Sequence, residues 1–423
     1  MKTSPVPLTE LPLTELLALH LHDLVAFRRD VHAHPEVGRS ETRTTAAVAD
    51  RLRAAGLEPR LLPGTGLVCD VGEADAPALA LRADIDALPV AEETDLPFAS
   101  TVDGVAHACG HDVHTAVVLG AGLLLADLHR GGRLRGRVRL IFQPAEESTP
   151  GGALDVIAAG GLDGVHRIFA VHCDPHTDVG HVGLLTGPIT SASDHVLVRL
   201  RGDGGHTSRP HLTGDLVFAL AKVATELPAV LSRRLDPRSG AALVWGRISA
   251  GGASNAIPRH GVLEGTLRCL RAEAWHQAGE LLPRVVAEIA APYGVTAQVE
   301  HTRGVPPVVN DPASVAVLEH AVRTELGDDC LVPTEQSLGG EDFSWYLERV
   351  PGALARLGTR TPGGPTYDLH RGDFVADERA IGVGARLLAA AAVRAAALAA
   401  QGTDELPEAV AGAVSGAVPV ADR

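Results

Sequence analysis

The chain has 423 residues and a formal net charge of −15, with 45% hydrophobic and 21% charged residues. This length predicts two domains, because single hydrophobic cores rarely grow so large, and the composition argues against a disordered protein. The negative charge argues against nucleic acid and an anionic membrane as partners, since both attract basic proteins.

The N-terminal residues and the cysteines indicate the cellular compartment of the protein. Glu10, Glu15 and Asp23 interrupt the N-terminal apolar stretch, which therefore lacks the apolar region of a signal peptide. The apolar run at 387–400 is interrupted by Arg394 and is too short to span a bilayer. Five widely spread cysteines favour a reducing compartment without disulfides. We expect a cytoplasmic protein that does not enter a membrane.

Helix-like and strand-like patterns alternate in the first part of the chain. Leucines at helical spacing predict a helix over 13–30, and apolar runs predict a buried strand at 78–86 followed by a helix at 116–128. Two further strands are predicted at 137–147 and 167–175, where prolines at positions 144 and 175 stop them. This alternation predicts an α/β sheet covered by helices, in which ligands gather beyond the carboxyl ends of the strands.

The middle of the chain has a different order of elements, which predicts a ferredoxin-like domain inserted into the first one. The order is strand, helix, strand, strand, helix, strand, at 194–201, 213–234, 241–249, 262–270, 273–291 and 295–301. The α/β pattern then resumes and closes with a helix over about 377–400. We therefore expect a first domain made of 1–186 and 301–402, an inserted domain at 187–300 and a flexible tail at 403–423.

The stretch HACGHDVH at 107–114 offers two kinds of chemistry. Cys109 and His111 lie two apart at the junction between a loop and a helix, and a thiolate with an imidazole suits zinc or a similar cation. Alternatively, Cys109 is a nucleophile with a histidine of this stretch as its base, or simply a buried inert cysteine.

Further candidate ligands favour the metal site. Glu146 and Glu147 follow an apolar strand, so that one carboxylate can bind a cation while the other faces its water; a surface acidic pair is the plainer interpretation. His172 ends the next strand, where a core histidine is otherwise commoner, and His370 lies in a late polar loop. A cysteine protease needs no such carboxylates. The set is large enough for two metals.

Ordered motifs along nearly the whole chain resemble the M20 metallopeptidase family, within it the subfamily of hippurate hydrolases, auxin–amino-acid conjugate hydrolases and N-acyl-amino-acid amidohydrolases. The motifs are HAHPEVGRSE (32–41), RADIDALPV (82–90), HACGHDVHTA (107–116), FQPAEE (142–147), AVHCDP (170–175), GGHTSRP (204–210), SNAIP (254–258), GTLR (265–268), PPVVND (306–311) and GGEDFS (339–344).

The resemblance implies a zinc-exopeptidase-like catalytic domain with a mixed sheet, an inserted lid and dimerisation domain, and two divalent metal ions per subunit. Zinc, manganese, cobalt and nickel are the candidates. Glu146 is implied as the general base that activates a water. The implied metal ligands, with the cysteine bridging the two ions, are Cys109, His111, Glu147, His172 and His370.

Other residues are assigned roles around this centre. His206 is implied as the donor to the oxyanion in a neighbouring subunit, which predicts a homodimer through the lid domain. Asn255 and Arg268 are candidates for binding the substrate, although Arg268 is equally an ordinary surface charge. Asp86 is expected to orient a ligand from behind. We expect His107 and His114 to support the site without binding metal.

The sequence thus predicts hydrolysis of N-acyl amino acids, a small-molecule substrate, by a metal-activated water. A carboxypeptidase or dipeptidase using the same site is the alternative enzyme. A non-hydrolytic metal-binding protein would have lost the base or a ligand, whereas all are present. A thiol enzyme using Cys109 would be inactivated by alkylation and indifferent to chelators. The segments after Glu147 and His172 depart from the family pattern, which leaves the preferred acyl group and amino acid open.

Overall fold

The computed structural model describes residues 12–400, which form two compact units. The first unit takes in residues 12–187, 309–335 and 345–400 of this range, and the second takes in residues 188–308 and 336–344. The tail at 403–423, for which we expect flexibility, lies outside the described residues.

The helices and strands follow the predicted order closely. The helices are α1 Leu13–Ala33, α2 Thr42–Ala54, α3 His111–Arg130, α4 Ala153–Ala158, α5 Leu216–Arg234, α6 Ala272–Ala290, α7 Pro312–Glu325, α8 Ser344–Leu347 and α9 Arg379–Ala400. The strands are β1 Arg60–Leu61, β2 Leu67–Gly72, β3 Ala78–Asp84, β4 Arg137–Gln143, β5 Val165–Asp178, β6 Val182–Gly183, β7 Gly187–Pro188, β8 Ala192–Arg201, β9 Gly205–His206, β10 Ala242–Ala250, β11 Ala256–Ile257, β12 His260–Cys269, β13 Thr296–Val305, β14 Val309–Asn310, β15 Leu331–Val332 and β16 Gly352–Arg360.

The first unit is built on a mixed eight-stranded sheet, as predicted. Its strand order is β1-β2-β4-β3-β5-β16-β6-β15. The four central strands β4, β3, β5 and β16 run parallel, and β2 is antiparallel to β4. Every residue of β3 is buried, as expected for a parallel strand with both faces covered. The carboxyl ends of β3, β4 and β5 therefore meet at one edge of the sheet.

Helices α3 and α9 pack against each other and against β3, and α1 packs on both. The apolar run at 387–400 belongs to α9, which begins at Arg379 and is longer than the run alone. Both α3 and α9 are long and apolar enough to cross a membrane by length and composition, but most of each is buried inside the unit. Their apolar surfaces are thus used by the protein core.

The predicted end of one strand at Pro175 is wrong, because β5 continues to Asp178. Its pairing with β16 changes register between Gly358 and Arg360, opposite Asp174 and Asp178. Pro175 lies in this irregular stretch, where a residue without an N–H group is tolerated.

The second unit contains the predicted ferredoxin-like arrangement. Its four-stranded antiparallel sheet has the order β10-β12-β8-β13, with α5 and α6 packed on each other and on its strands. Strands β9 and β11 form a separate short ribbon. Residues 336–344, which the sequence analysis places in the first domain, belong here because Ser337 exchanges backbone hydrogen bonds with Ile189 and Ser191, at 2.9 and 3.1 Å.

Candidate metal centre

A tight turn before α3 positions the first two candidate ligands. Gly110 is the N-cap of the helix and has φ of 85°, a left-handed conformation that favours glycine. A Cβ atom at this position would lie 2.7 Å from Cys173 Sγ, so a larger residue would clash. The turn leaves Cys109 and His111 buried on either side of it.

The structure brings the five predicted metal ligands together at the carboxyl edge of the sheet. They form two groups of three, Cys109–His111–His172 and Cys109–Glu147–His370, within each of which the ligand atoms lie within 4.8 Å of one another. Cys109 Sγ lies 3.6 Å from His172 Nε2, and His370 Nε2 lies 3.2 Å from Glu147 Oε1. Cys109 is common to both groups, as a bridging thiolate requires.

The hydrogen bonds of the histidines leave the nitrogens that face this centre available as ligands. His111 Nδ1 donates to the backbone carbonyl of Asp86 at 2.9 Å, and its buried Nε2 has no hydrogen-bond partner among the described residues. His172 Nδ1 donates to the carbonyl of Cys173 at 2.9 Å, so that its Nε2 keeps a lone pair. Backbone acceptors commonly fix metal-binding histidines in this way.

The chemistry of the set fits divalent transition-metal ions. It combines one sulfur, three imidazole nitrogens and one carboxylate, a mixture that suits zinc and its neighbours. Burial raises the pKa of the Cys109 thiol and lowers that of His172 well below its usual value. The Glu147 carboxylate, which accepts from the protonated His370 ring, raises the pKa of His370. A cation would offset the cost of burying the thiolate and carboxylate here.

Glu146 lies beside the centre, outside the two groups that share Cys109 but within 4.8 Å of the ligand atoms of His111 and Glu147. Its Oε2 atom is 4.0 Å from His111 Nε2, and its side chain is 10% exposed. Asp86 lies behind the centre, where its Oδ2 accepts a hydrogen bond from the backbone N–H of Glu147 at 3.0 Å. The roles of Glu146 as a base and of Asp86 as a support stay predictions.

Two further buried residues of the centre are Asp84, which has no role in the sequence analysis, and His114, which is expected to support the site. Asp84 accepts a hydrogen bond from His114 Nδ1 at 2.6 Å and pairs with Arg82 at 2.7 Å, while His114 Nε2 accepts from Cys173 N–H at 2.8 Å. Both nitrogens of His114 are therefore used in support. The signal was available in RADID, where Asp84 is the last residue of β3 and Asp86 follows two positions later. His107 is also buried, which lowers its pKa to about 4.

The three remaining candidates lie in the second unit. His206 in β9 is exposed and is paired with Ala256 of β11, next to Asn255. Its Nδ1 accepts from Ser208 N–H at 3.1 Å, which leaves the proton of a neutral ring on Nε2. Arg268 in β12 donates to the backbone carbonyl of Leu338. Their action at the metal centre stays a prediction.

Comparison with known proteins decides the family. The family model described as peptidase family M20/M25/M40 matches residues 80–394, a span that includes all five candidate ligands. The chain belongs to this family. M20 membership confirms the resemblance drawn from the motifs, together with the expectation of a hydrolase acting on amide bonds.

Three matches illustrate the relationship of this M20 chain to other proteins. The putative glutamate–cysteine ligase 2-3 of Rhodococcus jostii is 53% identical over 378 residues, which cover 89% of this chain and 47% of that protein, so the chain spans about half its length. The N-acetyl-L-cysteine deacetylase of Bacillus subtilis is 39% identical over 361 residues, covering 85% of this chain and 84% of that enzyme. The crystal structure of the Bacillus subtilis YXEP protein, described as a dinuclear metal-binding peptidase from the M20 family, matches with a TM-score of 0.78 and 36% identity, covering 89% and 98% of the two chains.

Proposed function

We propose that this M20 protein is a metal-dependent amidohydrolase that cleaves the amide bond of N-acyl amino acids. The observation that carries the proposal is the pair of ligand groups that share Cys109, with Glu146 beside them. The likeness to a named N-acetyl-L-cysteine deacetylase supports an N-acyl amino acid as substrate. Two divalent cations, chosen from zinc, manganese, cobalt and nickel, would be held by Cys109, His111, Glu147, His172 and His370.

The protein side chains around the metal centre have separate roles in proton transfer and in positioning the ligands. Bound cations would supply a Lewis acid and lower the pKa of a water molecule. Glu146 takes a proton from the attacking water and passes it to the leaving amine, a role that requires a carboxylate near the water but outside the metal ligands. Asp86 and Asp84 hold His111, Glu147 and His114 from behind, so that the centre is organised before the substrate arrives.

Stabilisation of the oxyanion and binding of the substrate are assigned to residues of the second unit. His206, with its proton on Nε2, would stabilise the oxyanion in a neighbouring subunit, so we propose a homodimer through this unit. Asn255 and Arg268 would bind the substrate carbonyl or carboxylate. We propose a cytoplasmic location, with no nucleic-acid or membrane partner, on the basis of the net charge and the spread of the cysteines.

The thiol-enzyme alternative disagrees with the environment of Cys109. Reactive cysteines have lowered pKa values and partial exposure, whereas Cys109 is 4% exposed and burial raises the pKa of its thiol. A thiol in this environment suits a metal ligand better than a nucleophile.

The deciding experiment combines metal removal with a substrate panel. Chelator treatment should abolish hydrolysis of hippurate and N-acetyl amino acids, and separate addition of zinc, manganese, cobalt or nickel should restore it. Dipeptides and carboxypeptidase substrates in the same panel test the alternative enzyme. Activity that survives complete removal of metal would refute the proposal, and faster cleavage of dipeptides would replace N-acyl amino acids by peptides as the substrate.

A further inference from the structure

We propose that Glu41 is a positioning residue for the general base, because its buried carboxylate fixes the backbone immediately before Glu146. Glu41 is the N-cap residue of α2 and is fully buried in the first unit. Its Oε1 atom accepts a hydrogen bond from the backbone N–H of Ala145 at 2.8 Å. The role rests on the proposed function only in so far as Glu146 is the base.

Ala145 has a backbone conformation that needs such a partner. Its φ angle is 55°, in the left-handed region that residues with a Cβ atom rarely adopt. The conformation turns the chain sharply between β4 and the glutamate pair, and so sets the direction in which Glu146 leaves the backbone. Since nothing in an alanine side chain favours this turn, the surrounding contacts must hold it.

Both backbone polar groups of Ala145 are bound. The N–H group donates to Glu41, and the carbonyl accepts a hydrogen bond from the N–H of Gly152 at 2.9 Å. A hydrogen bond to a carboxylate is stronger than one to a neutral acceptor, so Glu41 supplies the firmer of the two anchors. Removing its carboxylate would leave Ala145 with an unpaired buried N–H group and a strained backbone. The chain can relieve this strain if the φ angle of Ala145 returns to negative values.

The other oxygen of Glu41 provides a matched control. Glu41 Oε2 accepts a hydrogen bond from Thr65 Oγ1 at 2.6 Å. This contact anchors the same carboxylate to the loop before β2, through the oxygen that does not bind Ala145. T65V therefore perturbs the same buried site while leaving the bond to Ala145 in place, and separates general loss of packing from loss of position.

The experiment compares E41M, E41Q and T65V with the wild-type protein. We expect E41M, which fills the space but cannot accept a hydrogen bond, to lower kcat by up to about 100-fold with little change in KM, since a displacement of about 1 Å can cost that much. Both metals should remain bound. A crystal structure of E41M should show Ala145 outside the left-handed region and the Glu146 carboxylate moved away from its position 4.0 Å from His111 Nε2. E41Q keeps an acceptor and should restore kcat, and T65V should leave it unchanged.

Several results would overturn the proposal: wild-type kcat in E41M, Ala145 and Glu146 unmoved in its crystal structure, or an equal loss of kcat in T65V. E41A removes the same acceptors and is judged by the same criteria if E41M does not fold; if neither folds, Glu41 serves the fold as a whole and the proposal is refuted. A wild-type protein inactive on every N-acyl amino acid would refute the proposed function alone, because the crystallographic comparison does not depend on turnover.

Discussion

Asp86 holds His111 and Glu147 at the same time: its backbone carbonyl accepts from His111 Nδ1 at 2.9 Å, and its Oδ2 accepts from the backbone N–H of Glu147 at 3.0 Å. One residue thereby fixes a ligand from each of the two groups that share Cys109. D86A keeps the backbone carbonyl but removes the carboxylate, whose Oδ2 binds Glu147 and whose Oδ1 lies 3.3 Å from His111 Nδ1. We predict that this change lowers metal affinity by about 10–100-fold, the usual effect of removing such a support. Titration with the metal measures this affinity, and D103A, in an exposed loop, is the control. Unchanged affinity in D86A would contradict the assigned role.

Replacing the proposed base should separate chemistry from metal binding. We predict that E146Q lowers kcat by about 10²–10⁴-fold, the range expected for general acid–base catalysis, and keeps its metal, because Glu146 lies outside both ligand groups of three that share Cys109. E147Q, one residue further, should instead lose metal. Elemental analysis and steady-state kinetics on the same preparations make the comparison. Full activity in E146Q would exclude it as the base.

The shared cysteine predicts an unequal pattern of metal loss. Cys109 belongs to both groups, whereas His370 belongs to one of them. C109A should therefore weaken binding of both ions, and H370A should weaken binding of one while the other remains. The number of ions per chain is the measurement. C69A replaces another buried cysteine, located on β2, and should bind metal as the wild-type protein does. If C109A and H370A lost the same number of ions per chain, Cys109 would not bridge the two ions.

A buried ion-pair cluster behind the centre predicts pH-dependent stability. His32 Nδ1 lies 2.8 Å from Asp112, and its Nε2 lies 3.2 Å from Glu92. Burial alone would lower the pKa of His32, but Asp112 and Glu92 outweigh it and raise the pKa. The resulting stabilisation is complete below about pH 6.5, the value of an unfolded histidine, and disappears as the pH rises through the raised value.

H32Q should accordingly cost more stability in acid than in base. We expect a loss of about 3 kcal/mol at pH 6, because one member of a buried charged cluster is removed, and a smaller loss at pH 9.5. Denaturant unfolding at the two pH values measures the difference. H20Q removes the partner of Asp127 in a more exposed pair and should have a small effect at pH 6. A loss in H32Q that does not change with pH would contradict the assignment of charge to His32.

Local patterns in the sequence were enough to predict most elements and to mark the candidate site residues, whereas the choice of Glu147 as a ligand and Glu146 as the base came from the resemblance to the family. The period of the apolar residues distinguishes strands from helices, and polar residues at the ends of buried strands indicate the edge where ligands collect. The helix at 116–128 was predicted too short, since α3 begins at His111. Its first turn is polar because it belongs to the site, and such a turn lacks the apolar signal of a core helix.

Contacts between distant segments could not be predicted in the same way. Glu41 meets Ala145 across 104 residues, and Asp84 meets His114 across 30. The residues next to a buried carboxylate in the sequence do not indicate which distant residue it contacts. The strand end predicted at Pro175 was wrong for a related reason, because the irregular pairing that tolerates the proline depends on β16, about 180 residues later in the chain.

The order of the ligands along the chain has a consequence for biosynthesis. Three of them precede residue 150 and a fourth is His172, but His370 follows the entire second unit. A growing polypeptide must therefore pass the inserted unit before the ribosome delivers the last imidazole. Complete loading with metal is thus a late event, because a product truncated before residue 370 would hold the first group of donors complete and the second without its imidazole.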